Sequence, residues 1–545
     1  MWAPANLFTN TTGFTTGWTK LNCSLTGTTT DPFGGNNGIE VTDATTGAAL
    51  FGSGSPAIQA AADYTLSFYV KRGNTDFFTA RFLESSFSNG IRIQMNLVTG
   101  ALSGISPVGT GVGLSVTATN VGNGWWRVAL SGKTVTGTNA LSEFHTAASL
   151  ALPTPIVGGT YFIFGPQLEF YGANSPQPYV ATGASQYYGP RFDFNPQTLA
   201  ARGLLIEEAR TNIDSNCNSW TPFATSAATV VKNATSVWAL PNDAFTVTES
   251  LTANFHAAAI GSITYTAVAH SVSAFVKAGT ANRCQLVTSA AVSSEFANFS
   301  LIGAGSVLLQ NASNNATIQQ CADGWYRISM SFTAAAASGQ VAVALIDSNT
   351  ALRLPTYTGT GLTLQVCWGQ VEAGAFATSL IPTFGTAATR AADKAPVSVG
   401  AWYTQTLGTW LVEYEQISNT YGGVVAVNDG VISGGNSFLI YAPTPTASAF
   451  TGGVLQFDVP FGANLPTGTI IKYAAVYNSS SVQTYRNGSV GGTFSTPYTM
   501  PSGQTTMYIG GDRFNGANKI NGWIRQIQFY QTASLSVGAL QALTT

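Results

Sequence analysis

Three short motifs occur twice in this chain, in the same order and at similar spacing, and a repeat of that kind constrains the architecture before any single strand is assigned. LSFYVKRG at 66–73 corresponds to VSAFVKAG at 272–279, an alternating run that closes on Val-Lys and a turn glycine. GNGWWRVALS at 122–131 corresponds to ADGWYRISMS at 322–331, and FIFGPQLEFYGA at 162–173 to QVCWGQVEAGA at 365–375, the second copy one residue shorter around its glycine. The landmarks stand about 50 and 40–45 residues apart. The spacing predicts two copies of one unit, in residues 1–185 and 211–393. Each has the length of eight or more strands with their loops, and a jelly roll of two antiparallel sheets is the usual way to close such a chain.

The local pattern agrees. YTLSFYV (64–70), HSVSAFV (270–276), LVEYEQI (411–417) and WIRQIQFY (523–530) are strand-length, rich in β-branched and aromatic residues, and several alternate with period two. Short apolar runs are broken by Gly, Asn or Pro. The fold class is all-β. Residues 394–545 carry none of the three landmarks but contain at least seven strand-like runs, among them FLIYAP (438–443), VLQFDVP (454–460) and VQTYRNGSVGG (482–492). Asn487-Gly488 in the last supplies the positive φ values of a type I′ hairpin. A third β-sandwich of a different kind is expected there.

Between the two copies lies GPRFDFNPQTLAARGLLIEEARTN (189–212), which gathers six charges in a chain of which only 8% is Asp, Glu, Lys or Arg. LAARGLLIEEAR is the only good helix-forming run of that region, although Gly203 interrupts it at a cost of about 1 kcal/mol. Residues 186–210 are therefore expected to form an ordered, charged connector whose Arg202, Glu207, Glu208 and Arg210 pair across a domain boundary or between subunits.

Several classes of function are disfavoured by composition. With 22 basic and 24 acidic residues the chain has a net charge of −2, so there is no electrostatic footprint for nucleic acid or an anionic membrane. MWAPANLFTN has no basic segment leading into an apolar one, and no apolar run approaches 18 residues, so neither a secretory signal nor a membrane span is expected. Cys23, Cys217, Cys284, Cys321 and Cys367 are odd in number and widely spaced, which reads as buried free thiols; a bridge, if any, would fall among Cys284, Cys321 and Cys367.

The connector ARGLLIEEARTN, the Gly-Trp-Tyr-Arg turn and WGQVEAGAFATSLIPTFGTAATRAAD (368–393) resemble modules of bacteriophage virion proteins, particularly fibre and tail-associated proteins with carbohydrate-binding-module-like jelly rolls. The C-terminal MYIGGDRFNGANKINGWIRQIQFYQTASLSVGALQALTT is similar to the end of a laminin-G-like or concanavalin A-like lectin domain. The resemblance implies a virion-surface protein, made in the host cytoplasm, whose partners are host surface polysaccharide and other virion proteins. It also implies a homo-oligomer, with a trimer as the family pattern. The expected function is a non-enzymatic fibre or appendage for host attachment. A head or neck decoration binding other virion proteins is the alternative, and a polysaccharide depolymerase a further one.

Candidate chemistry is sparse. His145, His256 and His270 have no His or Cys partner at ligand spacing, and no G-x-S-x-G elbow occurs, so structural histidines and no metal or cofactor are expected. Glu413 and Glu415 lie two apart on a strand, as a glycosidase pair can, or as a solvated strand face would. Trp125-Trp126 and Trp325-Tyr326 offer flat rings to a sugar, but period two turns one ring of each pair inward, and Trp125 and Trp325 are read as core. Gln167 and Gln370, with Glu169 and Glu372, are read as bonding to nearby backbone in both copies. The binding candidates are rim loops of the third sandwich: Tyr485, Arg486 and Asn487 on one hairpin, and Asp512, Arg513, Phe514, Asn515 and Asn518 on another loop. One carboxylate, Asp512, is weak support for a Ca²⁺ site that needs six to eight oxygens.

Overall fold

The computed structural model describes residues 6–545, except for 15–16, 46–49, 53–55, 57, 59, 61, 85–87, 137–138, 171–175, 177, 183–190, 196–197, 199, 312–314, 384, 433, 496 and 534. The first five residues of MWAPANLFTN, the end of the third landmark at 171–173 and residues 186–190 of the expected connector thus lie outside the described residues.

The two copies fold alike. In the first, the strands Cys23–Thr29, Gly38–Asp43, Thr160–Phe170, Asp63–Arg72, Trp125–Lys133 and Val112–Gly122 lie side by side in that order. In the second, Ala228–Ala234, Ala244–Glu249, Thr363–Ala373, Ala269–Ala278, Trp325–Thr333 and Asn315–Gln320 take the same six places. Register matches as well as order: Lys71 stands opposite Trp125 and Lys277 opposite Trp325, while Gln167 faces Ser67 and Gln370 faces Ser273. The turns before both tryptophans place Asn123-Gly124 and Asp323-Gly324 at positive φ, the conformation a tight hairpin needs and which Asn, Asp and Gly tolerate best. Trp125 and Trp325 are buried at 0% and 1% exposure, as their repetition implies. Gln167 accepts from the Val180 N–H at 2.9 Å and Gln370 from the Ile381 N–H at 2.5 Å, so both amides fasten the chain that follows the strand. A second sheet closes each core, and none of the five cysteines is in a disulfide; Cys217, Cys284 and Cys367 are buried as expected, whereas Cys23 and Cys321 are only partly so.

The charged stretch is strand, where the sequence favoured helix. Arg191–Phe194 and Ala201–Ile206 form an antiparallel hairpin that extends the sheet of the third sandwich, in the order Arg191–Phe194, Ala201–Ile206, Gly522–Tyr530, Gly408–Gln416, Ile470–Tyr477, Val482–Arg486 and Ser489–Phe494. Gly203 is the physical reason. Its φ is +105°, and a Cβ there would lie 2.2 Å from the Ile524 carbonyl oxygen, so the glycine that weakens a helix is what lets the two backbones approach. Pairing also buries Leu205 and Ile206, which a solvated helix would leave half exposed. The second sandwich is therefore inserted between strands of the third. Facing this sheet are Pro396–Ser398, Thr506–Ile509, Gly422–Asn428, Ser437–Ala442, Thr446–Thr451 and Val454–Pro460. Among the described residues there is one α-helix, Val537–Leu543, and no helix is long and apolar enough to cross a membrane.

Buried charges hold the insertion in place. Arg191, 1% exposed, bonds Glu207, Asp393 and Ser379, and Arg390 lies 3.2 Å from the Glu207 carboxylate. The backbone closes the same point, since Glu207 N–H donates to Asp393 Oδ2 at 2.7 Å and Asp393 N–H to the Glu207 carbonyl at 3.0 Å. Arg202 reaches Glu415, and Arg210 lies 2.7 Å from Glu208, which is itself held by Asn521. The first and second sandwiches meet where Phe170 packs on Trp368 at 5.7 Å; within the second, Trp368 packs on Trp238 at 4.9 Å and Trp238 on Phe275 at 5.5 Å.

Burial opposes the charge on Glu207, but Arg390 and Arg191 outweigh it and hold the carboxyl down at about 2, against an ordinary 4.5. Its contribution to stability is complete above pH 4.5 and is lost as pH falls toward 2. Burial pushes Asp393 the other way and offsets part of this. Arg191→Met removes one partner of a buried pair and should lower unfolding free energy by about 3–5 kcal/mol. With Arg390 alone facing Glu207, its carboxyl should move back toward the ordinary 4.5, so the acid loss of stability still begins near pH 4.5 but should be smaller and end at a higher pH than in the wild type. Denaturant unfolding from pH 7 to pH 2 measures both effects.

Candidate functional site

Sheets bury one face by alternation, so the other face can be read strand by strand. In the sheet that closes the third sandwich, Phe438, Ile440, Ala447, Ala449, Phe457 and Val459 point into the core. Leu439, Tyr441, Ser448, Phe450 and Asp458 must then point away from it. Register brings them together: Leu439, Ser448 and Asp458 lie in one row across three strands, with Tyr441 and Phe450 in the rows on either side.

An exposed carboxylate organises this outer face. Tyr441 donates its hydroxyl to Asp458 at 3.0 Å, and Ser448 donates to the same oxygen. Tyr421, 44% exposed, packs its ring 5.2 Å from that of Tyr441. Arg513 arrives from the loop before the last strand and lies over Phe450 at 3.9 Å and Phe514 at 4.4 Å. Partial burial pushes the Tyr421 phenol up to about 12 and raises that of Tyr441 as well, so both keep their protons and remain donors at physiological pH. The result is a fixed acceptor, a guanidinium and several ring faces on one solvent-facing surface. Such a set suits a ligand with apolar C–H faces and hydroxyl edges.

The rim residues expected from sequence separate into two groups. Asp512 is fully buried and accepts from Phe514 N–H at 3.1 Å, Asn518 N–H at 3.2 Å and the Asn518 amide. Asn515, at φ 54°, accepts from Asn428, whose amide also holds the Arg513 carbonyl at 2.9 Å. These bonds shape the loop and aim Arg513 and Phe514 at the sheet. Tyr485 is a correction: at 3% exposure it packs with Leu411, Ala474, Val476 and Leu540 beneath the C-terminal helix and offers no platform. Arg486 donates to the Phe461 and Ala463 carbonyls, and Asn487 accepts from Lys472 N–H in its turn. Phe461 follows Pro460, opposite Thr446, whereas Phe450 pairs with Leu455, so the two groups serve opposite ends of one hairpin. Alternation in FLIYAP and VLQFDVP already set Tyr441 and Asp458 against the core positions; what it lacked was the strand pairing that joins them.

The other candidates are engaged structurally. His145, His256 and His270 are at most 1% exposed, and burial pushes the His145 imidazole down to about 4. Glu415 is taken by Arg202 and, at 3.4 Å, by Arg525, which also approaches Glu413 at 4.0 Å. Among the described residues no three His, Cys, Asp or Glu side chains converge as a metal site requires.

Residues 403–536 match the model of the concanavalin A-like lectin/glucanases superfamily, so the C-terminal sandwich is of concanavalin A-like, laminin-G-like type. No curated protein sequence matches the chain. Among solved structures it is similar to the Ruminococcus gnavus IT-sialidase CBM40 bound to α2,3 sialyllactose, at 17% identity over 26% of this chain and 84% of that one, with a TM-score of 0.23. It is also similar to the CBM22-1–CBM22-2 tandem domain of Paenibacillus barcinonensis Xyn10C (13% identity, 69% of this chain, 99% of that one, TM-score 0.21). A third is the LG4-5 pair of the mouse laminin α1 chain (9% identity, 66% and 96%, TM-score 0.21).

The two roles separate by stability. Tyr485→Ala should cost about 3–5 kcal/mol, as for other large buried rings, whereas Tyr421→Ala should stay within about 0.5 kcal/mol. Urea unfolding of both variants checks the assignment.

Proposed function

We propose that the chain is a non-enzymatic structural protein of a bacteriophage virion, a tail fibre or appendage on the particle surface that attaches to host surface polysaccharide. The observation that carries the glycan reading is the exposed Asp458 carboxylate, held by Tyr441 and Ser448 among Tyr421, Phe450 and Arg513, on the face of a lectin-type sandwich. Support for the virion context comes from the resemblance of the connector, the Gly-Trp-Tyr-Arg turn and the 368–393 segment to phage structural modules.

The chemistry of the site sets its strength. Each hydrogen bond to a sugar hydroxyl contributes about 0.5–1.5 kcal/mol net, so a shallow face of this size binds weakly on its own. Firm attachment then needs several copies, as in a homo-oligomer or an array on the particle, where avidity raises the apparent affinity about 10²–10⁴-fold. The trimer implied by the resemblance would meet that need.

Full-length protein and the Tyr421→Ala/Arg513→Ala variant are compared for binding to host cells and to extracted envelope polysaccharide. The variant should lose about tenfold or more of the binding, in line with loss of stacking and a charge-assisted contact, and no reducing sugar ends should be released. Equal binding by the two moves the receptor site elsewhere, and release of reducing ends points to a depolymerase. Imaging of labelled virions tests the location, and a position on the head or neck favours a decoration that binds other virion proteins.

A further inference from the structure

A cleft of about 420 Å³ opens between the second sandwich and the hairpin that precedes it. That volume lies in the range of ligand pockets, roughly 300–1,000 Å³. One wall is the hairpin. Strand Arg191–Phe194 alternates, so that Arg191 turns into the buried ion-pair cluster and Phe192 and Phe194 turn out, 58% and 53% exposed. The facing wall is the outer side of the second sandwich's sheet, where Thr317 and Gln319 are exposed on one strand and Ser329 stands on the next. Trp238 and Trp523 also line the cleft. Trp523 is fixed by the Arg202 guanidinium 3.4 Å from its ring centre and by Asp193, which accepts its indole N–H at 2.9 Å.

The repeat shows that the matching face of the first copy is lined differently. Both copies set an arginine over an aromatic ring on the same sheet face, Arg127 over Tyr69 and Arg327 over Phe275. In the first copy the rings of Phe33, Tyr69, Phe164 and Tyr179 gather on that face, with centroids 5.1–6.4 Å apart. In the second, Trp238 packs on Phe275 at 5.5 Å and further rings come from the neighbouring hairpin, across a gap.

We propose that this cleft is a second ligand site, separate from the Asp458 face, which takes a short segment of an uncharged oligosaccharide. Aromatic side chains on one wall match the apolar faces of pyranose rings, and hydroxyls and an amide on the other match their edges. Of the charged residues lining the cleft, Glu207 is paired with Arg191 and Arg390, Asp193 accepts from Trp523, and Arg327 donates to Ser273 Oγ and the Thr378 carbonyl. A polyanion would meet two carboxylates and a single guanidinium that already donates to neutral protein acceptors. The inference rests on the reading of the chain as a glycan-binding protein.

Full-length protein is titrated with maltohexaose, cellohexaose, chitohexaose and mannohexaose, with a hyaluronan hexasaccharide as the acidic probe, and tryptophan fluorescence is followed. At least one neutral probe should shift the emission, and Phe192→Ser/Phe194→Ser and Gln319→Ala should each weaken that response by about tenfold or more. Tyr421→Ala/Arg513→Ala should leave it unchanged. Because the cleft residues changed are exposed, thermal unfolding of these variants should match the wild type. No response to any neutral probe, a response to hyaluronan alone, or one unaffected by the cleft variants overturns the proposal. Cell binding lost in the Tyr421→Ala/Arg513→Ala variant but kept in the cleft variants leaves the attachment reading standing without the cleft's part in it. Absence of cell binding by the wild type counts against the attachment reading itself.

Discussion

The carboxylate of Glu207 sits where the chain leaves the third sandwich for the second, and the carboxylate of Asp393 sits where it returns. Both are fastened to Arg191, with Arg390 as a further partner for Glu207, in a pocket from which water is largely excluded. Charges removed from water in this way are costly unless every partner is present. That makes the neck selective: only one placement of hairpin, inserted sandwich and returning strand satisfies all of them. The position of the hairpin depends on this cluster, and with it the walls of the cleft and the extent of the third sheet.

The two solvent-facing surfaces follow from one property of β-structure. A strand that buries every second residue leaves the others free for chemistry, and neighbouring strands turn single residues into rows. On the third sandwich this brings Tyr441, Ser448 and Asp458 together from three strands. On the second it lines up Thr317, Gln319 and Ser329, and the hairpin supplies the rings opposite them. Alternation also sends the rings of Trp325 and Tyr326 to opposite faces of their sheet, where a different cluster buries each, whereas Phe192 and Phe194 on the hairpin stay open.

Much was legible without coordinates. The repeat marked Lys71 and Lys277, Trp125 and Trp325, and Gln167 and Gln370 as equivalent positions, and each pair holds the same place in the matched sheets, because hairpin geometry and alternation are encoded within a few residues of each other. Burial of both tryptophans and the backbone-bonding role of Gln167 and Gln370 followed from their repetition. Of the rim residues, Arg513 and Phe514 do reach an open face, whereas Tyr485 is core; a turn marks where a hairpin bends but not which of its flanking rings another element covers.

What the sequence by itself determined is the all-β class, the internal repeat and the alternation that divides each strand into a core side and an outer side. These depend on local sterics and the burial of apolar side chains, and they are written in short windows. Tertiary structure alone decided that Ala201–Ile206 is strand rather than helix, that the second sandwich is inserted into the third, and that Tyr421, Asp458 and Arg513 share one surface. The physical reason is distance along the chain: Gly203 has meaning only against the Ile524 carbonyl, and Arg191 only against Asp393. Contacts of that span leave no period or motif in the sequence, because the partners that give each residue its role lie hundreds of positions away.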